Sequence, residues 1–287
     1  MLAMLYAFFG EGVVMGRFDT AVLGGQAVLP GQGLIRADVG IKDGRVSAIG
    51  EGLSSGDADE VVDAAGKLVL PGAVDAHFHL GIYRDISEDT RSETLSSLAG
   101  GVTSIISYFR TGSHYLGKSG PYAEIFPEVL EATSGHSRVD YGYHLAPMVR
   151  DQVAEIGRLA SEDGVTSFKY YMFYKGLDLS GASSDASGYT MSENYDLGHL
   201  FEIMEQVAKA QSASDSRVSL SIHCEQPELI RIFSERVKQE GVLSGLEAYS
   251  ASRPTLTEHL AVADLLDRLL AALDPDRLDR LEQLRRV

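Results

Sequence analysis

From residue 68 to residue 225 the chain repeats one pattern. A short apolar or β-branched run is followed by a turn and then by a stretch of helical character. The runs are 68–80, 102–109, 139–148, 165–173 and 218–225, and the helical stretches between them are 88–99, 124–133, 151–161 and 197–210. Alternation of this kind predicts parallel βα units. The class is therefore α/β, and the sheet is either a (β/α) barrel or an open doubly wound sheet.

The flanks differ. Residues 17–67 read as a small all-β module. Its runs are 20–23, 26–29, 34–41, 46–49, 60–64 and 67–70, with Asp43-Gly44 as a hairpin signal. After Glu225 only helical character remains, at 226–240 and 255–273. From Ala263 to Arg286 there is no Val, Ile, Thr, Phe or Tyr, and Asp274-Pro275 reads as the start of a last helix. The expected organisation is an extension at 1–16, a β module at 17–67, βα units at 68–262 and a helical tail at 263–287. Five barrel-type strands are legible, whereas closure takes eight.

Composition narrows the function classes. The formal charge is −16, from 25 basic and 41 acidic residues, so the basic footprint of a nucleic-acid binder is absent. Cys224 is the lone cysteine, which excludes an intrachain disulfide and suits a reducing, cytoplasmic setting. Residues 1–9 are apolar but too few for a bilayer that needs about 20. No membrane partner is expected. The start reads as a disordered extension or a misassigned one, with Met15 as the initiator. Residues 180–191, small and polar, follow the fourth run and read as a lid or as a passive loop.

Chemistry-bearing residues gather at the ends of the runs. Spacing of two puts Asp75, His77 and His79 on one face of the first barrel-type strand. Two imidazoles there either share a metal ion or are ordinary polar strand-end histidines. His223 ends the fifth run. Lys169 sits inside the aromatic run 167–174, where a buried amine is costly unless paired or neutral. It reads as snorkelling, as paired with an acid, or as an amine kept neutral for chemistry. His144 in the third run lines a pocket or fills the barrel. His114 and Tyr115, which follow the second run, read as loop residues or as facing the pocket, His136 and His199 as surface or helix-start residues, and Cys224 as a small buried residue. Glu235 and Glu247 read as solvated.

Three motifs together carry a resemblance: Leu70-Pro-Gly-Ala-Val-Asp-Ala-His-Phe-His79, Gly164-Val-Thr-Ser-Phe-Lys169 and Ile222-His-Cys-Glu225. From about Phe18 to about Asp264 the chain resembles the cyclic amidohydrolases, the group of dihydropyrimidinase, hydantoinase, allantoinase and dihydroorotase. The resemblance implies a partial (β/α)8 TIM-like barrel of a metal-dependent hydrolase, preceded by part of a β-sandwich. It implies that His77 and His79 bind the more buried of two divalent metals, usually zinc, and that His223 binds the second. Lys169 corresponds to a lysine carboxylated by CO2 that bridges both. Tyr174 corresponds to a tyrosine that hydrogen-bonds the developing oxyanion. The implied partner is a small cyclic amide, and an intact relative is expected to be a homo-oligomer.

The departures are specific. The resemblance calls for a His ending a sixth strand and an Asp ending an eighth. Neither strand is legible; His259 lies in a helical stretch, and none of Asp264, Asp267, Asp274, Asp276 or Asp279 ends a strand. The chain thus reads as five-eighths of a barrel with an atypical tail, from a frameshift or a truncation. The expected consequences are weak or absent turnover and poor solubility from an exposed parallel edge. Where dihydroorotase-like members have an Arg two residues after the second histidine, this chain has Gly81, with Arg84 nearby. That counts against dihydroorotate, and Tyr174 with its setting favours hydantoin- or dihydropyrimidine-like rings. The alternatives are a non-catalytic scaffold and a hydrolase of acyclic amides.

Overall fold

A computed structural model of the chain describes residues 18–112, 114–174 and 195–266. The extension at 1–16, the segment 180–191 and most of the 263–287 tail lie outside the described residues. The chain divides into two units at Gly72/Ala73.

The first unit carries strands β1 (Phe18–Leu23), β2 (Gln26–Leu29), β3 (Gly33–Arg36), β4 (Asp38–Lys42), β5 (Arg45–Gly50), β6 (Ala58–Asp63) and β7 (Leu68–Val69). They form a four-stranded sheet in the order β5-β4-β1-β6 and a three-stranded sheet in the order β3-β2-β7. Asp43 and Gly44 both have positive φ, 50° and 69°, as a tight turn with the twist of its flanking strands requires. The run 34–41 is not one strand. It breaks at buried Ala37, whose N–H donates to Gly25 O, so that β3 pairs with β2 while β4 pairs with β1 and β5. The Asp38 carboxylate accepts from the amides of Gly24, Gly52 and Leu53 and fixes that break. Phe18, Ala21, Ala48 and Ala58 make a small core.

The second unit begins where the run 68–80 is interrupted. Leu68-Val69 pairs with β2, and the first barrel-type strand starts only after Pro71-Gly72. Its elements are β8 (Ala73–His79), α1 (Ile86–Ala99), β9 (Val102–Arg110), α2 (Tyr122–Thr133), β10 (Asp140–Ala146), α3 (Arg150–Ala154), α4 (Ile156–Ser161), β11 (Ser167–Tyr171), α5 (Leu197–Ser212) and β12 (Ser219–His223). After these come α6 (Pro227–Glu240), α7 (Gly245–Ser252) and α8 (Thr255–Asp264). The five strands are parallel and lie in the order β12-β11-β10-β9-β8. A doubly wound sheet would reverse its strand order at a switch point. Here each unit adds beside the last, which is barrel winding.

The sheet is also curled. The Tyr108 hydroxyl on β9 lies 3.4 Å from Ser221 Oγ on β12, three strands away. In a flat sheet those strands would stand about 14 Å apart, at about 4.8 Å per strand. The period of two then separates two faces. On β11, Phe168 and Tyr170 point into the main core with Leu145, Phe109, Ile156, Leu159, Leu200 and Ile203, while Lys169 points to the inner face. Among the described residues β12 is followed by helices alone. Helix α7, with its glycine and two serines, has no clear helical signal in sequence.

Candidate metal-binding site

Register builds the site. His79 on β8 is level with Tyr108 on β9, and Tyr108 is level with His144 on β10. The Tyr108 ring is the hub. Its centroid lies 4.7 Å from that of His77, 5.3 Å from His79 and 4.4 Å from His144, and Lys169 Nζ stands 4.7 Å from it. The His77 and His79 rings are 5.4 Å apart, although a bulge interrupts the β8–β9 register between Asp75 and Phe78. Asp75 does not join them. Its carboxylate folds back to accept from the His77 amide.

His144 lines this face and braces it. Its Nε2 is 2.9 Å from Ala76 O and its Nδ1 contacts Ser167 Oγ, so the imidazole ties β8, β10 and β11 together. A carbonyl only accepts, so Nε2 carries the proton and Ser167 donates to Nδ1.

Lys169 is only 4% exposed. No carboxylate pairs with it among the described residues. Its amine lies against the rings of Tyr108 and Tyr171. Desolvation by burial lowers its pKa. Neither the snorkelling nor the acid-paired reading describes it. Burial first, and then the charges of His77, Lys169 and His223, bring His79 down to about 4. Burial, and then the charges of Lys169 and His223, also lower His77. Both imidazoles are thus neutral at neutral pH, the form that binds metal.

His223 ends β12, level with Tyr171, and its ring meets that of Phe173 edge-on at 4.7 Å. Tyr174 lies in the single turn after β11, buried against Tyr171 and Phe173, with the Arg110 guanidinium 5.3 Å from its ring centroid. The same guanidinium covers Tyr115 at 5.5 Å. Tyr115 is therefore packed beside Tyr174 and is not a passive loop residue. Burial, the largest influence on its hydroxyl, raises that pKa.

Among the described residues, no three His, Cys, Asp or Glu side chains converge to hold a metal by themselves. What converges is a pair of neutral imidazoles and a desolvated amine. Such a donor set fits a cation once the amine acquires an oxyanion.

Several positions differ from the sequence expectations. His199 is buried in the first turn of α5, with Nε2 2.9 Å from Pro147 O, and is not at the surface. Cys224 is half-buried rather than buried. As expected, His259 lies in a helix, and Glu235 and Glu247 are exposed on helix faces. Tyr108 and Arg110 carried no motif signal and reach this site through their places on β9, and Glu225 stood in the third motif without a role of its own.

Gly81 shows why no Arg stands two residues after His79. Its φ is +81°, and a Cβ there would lie 2.4 Å from Cγ1 of buried Ile86. Gly81→Ala is expected to cost about 2–4 kcal/mol from backbone strain and overpacking together. Gly164, with φ +69° and nothing within 4 Å, isolates the strain. Urea unfolding of both alanine variants should show the larger loss at position 81; equal losses would remove the clash argument.

No family model matches the chain. An allantoinase of Bacillus licheniformis is 31% identical over 245 residues, covering 84% of this chain and 49% of its own length. A D-hydantoinase of Ralstonia pickettii is 34% identical over 157 residues, covering 53% of this chain and 33% of its own length. Among solved structures, an L-hydantoinase (dihydropyrimidinase) from Arthrobacter aurescens superposes with a TM-score of 0.68 at 25% identity, over 87% of this chain and 50% of that one. The chain spans from a third to a half of the length of these relatives. Among the described residues, no helix is long and apolar enough to cross a membrane.

Proposed function

The chain is a relative of the cyclic amidohydrolases, and from that premise we propose that its inner barrel face serves metal-dependent hydrolysis of a cyclic amide C–N bond. The observation that carries the reading is Lys169: a buried amine with no carboxylate partner among the described residues, packed on the same Tyr108 ring as His77 and His79. The two rings beside it offset only part of the desolvation cost of a charged amine. An amine kept neutral there can react with CO2. Its nitrogen bonds the carbon and loses a proton to solvent, and the anionic carbamate supplies the missing oxyanion.

In this reading His77, His79 and His223, with a carboxylated Lys169, would be the residues that hold divalent cations, zinc by preference, and the bound metal would supply an acidified water and a polarised amide carbonyl. Tyr174 donates its hydroxyl proton in a hydrogen bond to the carbonyl oxygen as negative charge develops there. The aromatic wall of Tyr108, Tyr171 and Phe173 suits a flat hydantoin- or dihydropyrimidine-like ring. Gly81 withholds a cation that a ring carboxylate would need.

Zinc binding is the primary test of this reading. The 287-residue chain, supplied with zinc and bicarbonate, should retain zinc through gel filtration and should open hydantoin or dihydrouracil faster than His77→Ala does. A chain that retains no zinc would make the scaffold reading the better one.

A further inference from the structure

We infer that Glu225 and Arg253 form a positioning pair that holds the His223 imidazole by Nε2 and leaves Nδ1 as its coordinating atom. The inference rests on His223 being a metal ligand, as proposed above. Glu225 is 5% exposed and follows β12 by two residues. One of its oxygens, Oε2, is 2.7 Å from His223 Nε2 and 2.7 Å from Arg253 Nη1. A buried carboxylate is costly without partners, and these two supply them. A carboxylate that accepts from a guanidinium at 2.7 Å is ionised and only accepts. The proton therefore resides on Nε2, and the lone pair of the neutral ring is on Nδ1. Nδ1 of His223 has no hydrogen-bond partner among the described residues.

Arg253 grips both supports of that ring. It caps the C-terminal end of α7, and its guanidinium carbon lies 5.6 Å from the centroid of Phe173, the ring that meets His223 edge-on. It also covers Tyr249 of α7 at 5.0 Å. The helices after the last described strand are thus part of the site. A carboxylate on the far nitrogen of a ligating histidine fixes the tautomer and ring angle and raises its basicity.

The test uses the full chain and zinc alone. Zinc affinity is read by competition with a chromogenic chelator, and folding is checked by circular dichroism. His223→Ala defines the zinc equivalent that depends on this ring. Glu225→Ala and Arg253→Ala should each weaken that equivalent roughly tenfold to a hundredfold. In the His223→Ala background neither should change what remains. Zinc should move the Nδ1 rather than the Nε2 nitrogen resonance of His223 in the wild-type chain. Equal weakening in both backgrounds, or zinc on Nε2, overturns the positioning role while leaving the metal reading intact. If His223→Ala loses no zinc, the metal reading of His223 fails and the inference with it.

Discussion

Lys169→Met should bind no bridged zinc, lose roughly a thousandfold in ring opening, and yet unfold at a higher urea concentration than the wild-type chain. The two halves of this result have one cause. The amine is almost fully buried, faces two aromatic rings and has no carboxylate partner among the described residues. Desolvation lowers its pKa, and the same desolvation is a cost the folded state carries. Methionine has nearly the same length and no charge. Removing the buried polar group should therefore return about 1–3 kcal/mol of stability. The functional loss comes from the oxyanion that methionine cannot form. Metal assistance contributes several kcal/mol to such reactions, and about 4 kcal/mol corresponds to the thousandfold loss. Arginine in place of Lys169 keeps a cation but cannot be carboxylated, so it should lose zinc and also lose stability. If Lys169→Met lowers stability and retains zinc, the lysine is a structural element of the barrel wall.

What was legible in the sequence follows from the range of the forces involved. Strand–helix alternation is local, and all five barrel strands lie within a few residues of their apolar runs. The histidines at the ends of β8 and β12 were legible because a strand end in such a sheet is a chemical address. Features set by pairing between distant segments were not. Ala37 breaks a run that alternates well, because the Asp38 carboxylate gathers three amides from loops 14 and 15 residues away in sequence. Tyr108 is an ordinary aromatic in an apolar run until register sets it between His79 and His144. Glu225 ends a legible motif, but its partner Arg253 lies 28 residues further on and gives no local signal. His199 looks like a helix-start polar residue, yet it is buried because Pro147 O accepts from its ring. Short-range signals identify elements and their ends. Which side chains face one another depends on strand order and curl, which no single segment encodes.

The same division between the two faces of β11 sets the largest stability effect. Phe168→Ala should lower the unfolding free energy by about 3–5 kcal/mol, the range for deleting a fully buried phenylalanine. Phe168 is 0% exposed and is level with Leu145 across the β10–β11 pair, in the one core shared by the sheet, α2, α4 and α5. Truncation there leaves a cavity between the sheet and its helices that the surrounding core closes only in part. Strand β11 also carries Lys169 on its other face, so loosening it should weaken zinc binding through misplacement, with no ligand removed. Val242→Ser is the control. Val242 is 82% exposed, so its change should stay within about 0.5 kcal/mol. Urea unfolding of the three proteins, followed by far-ultraviolet circular dichroism, decides the matter. A loss below 1 kcal/mol at Phe168 would mean that β11 is not the packed centre of this sheet, and the site built on its inner face would lose its rigid support.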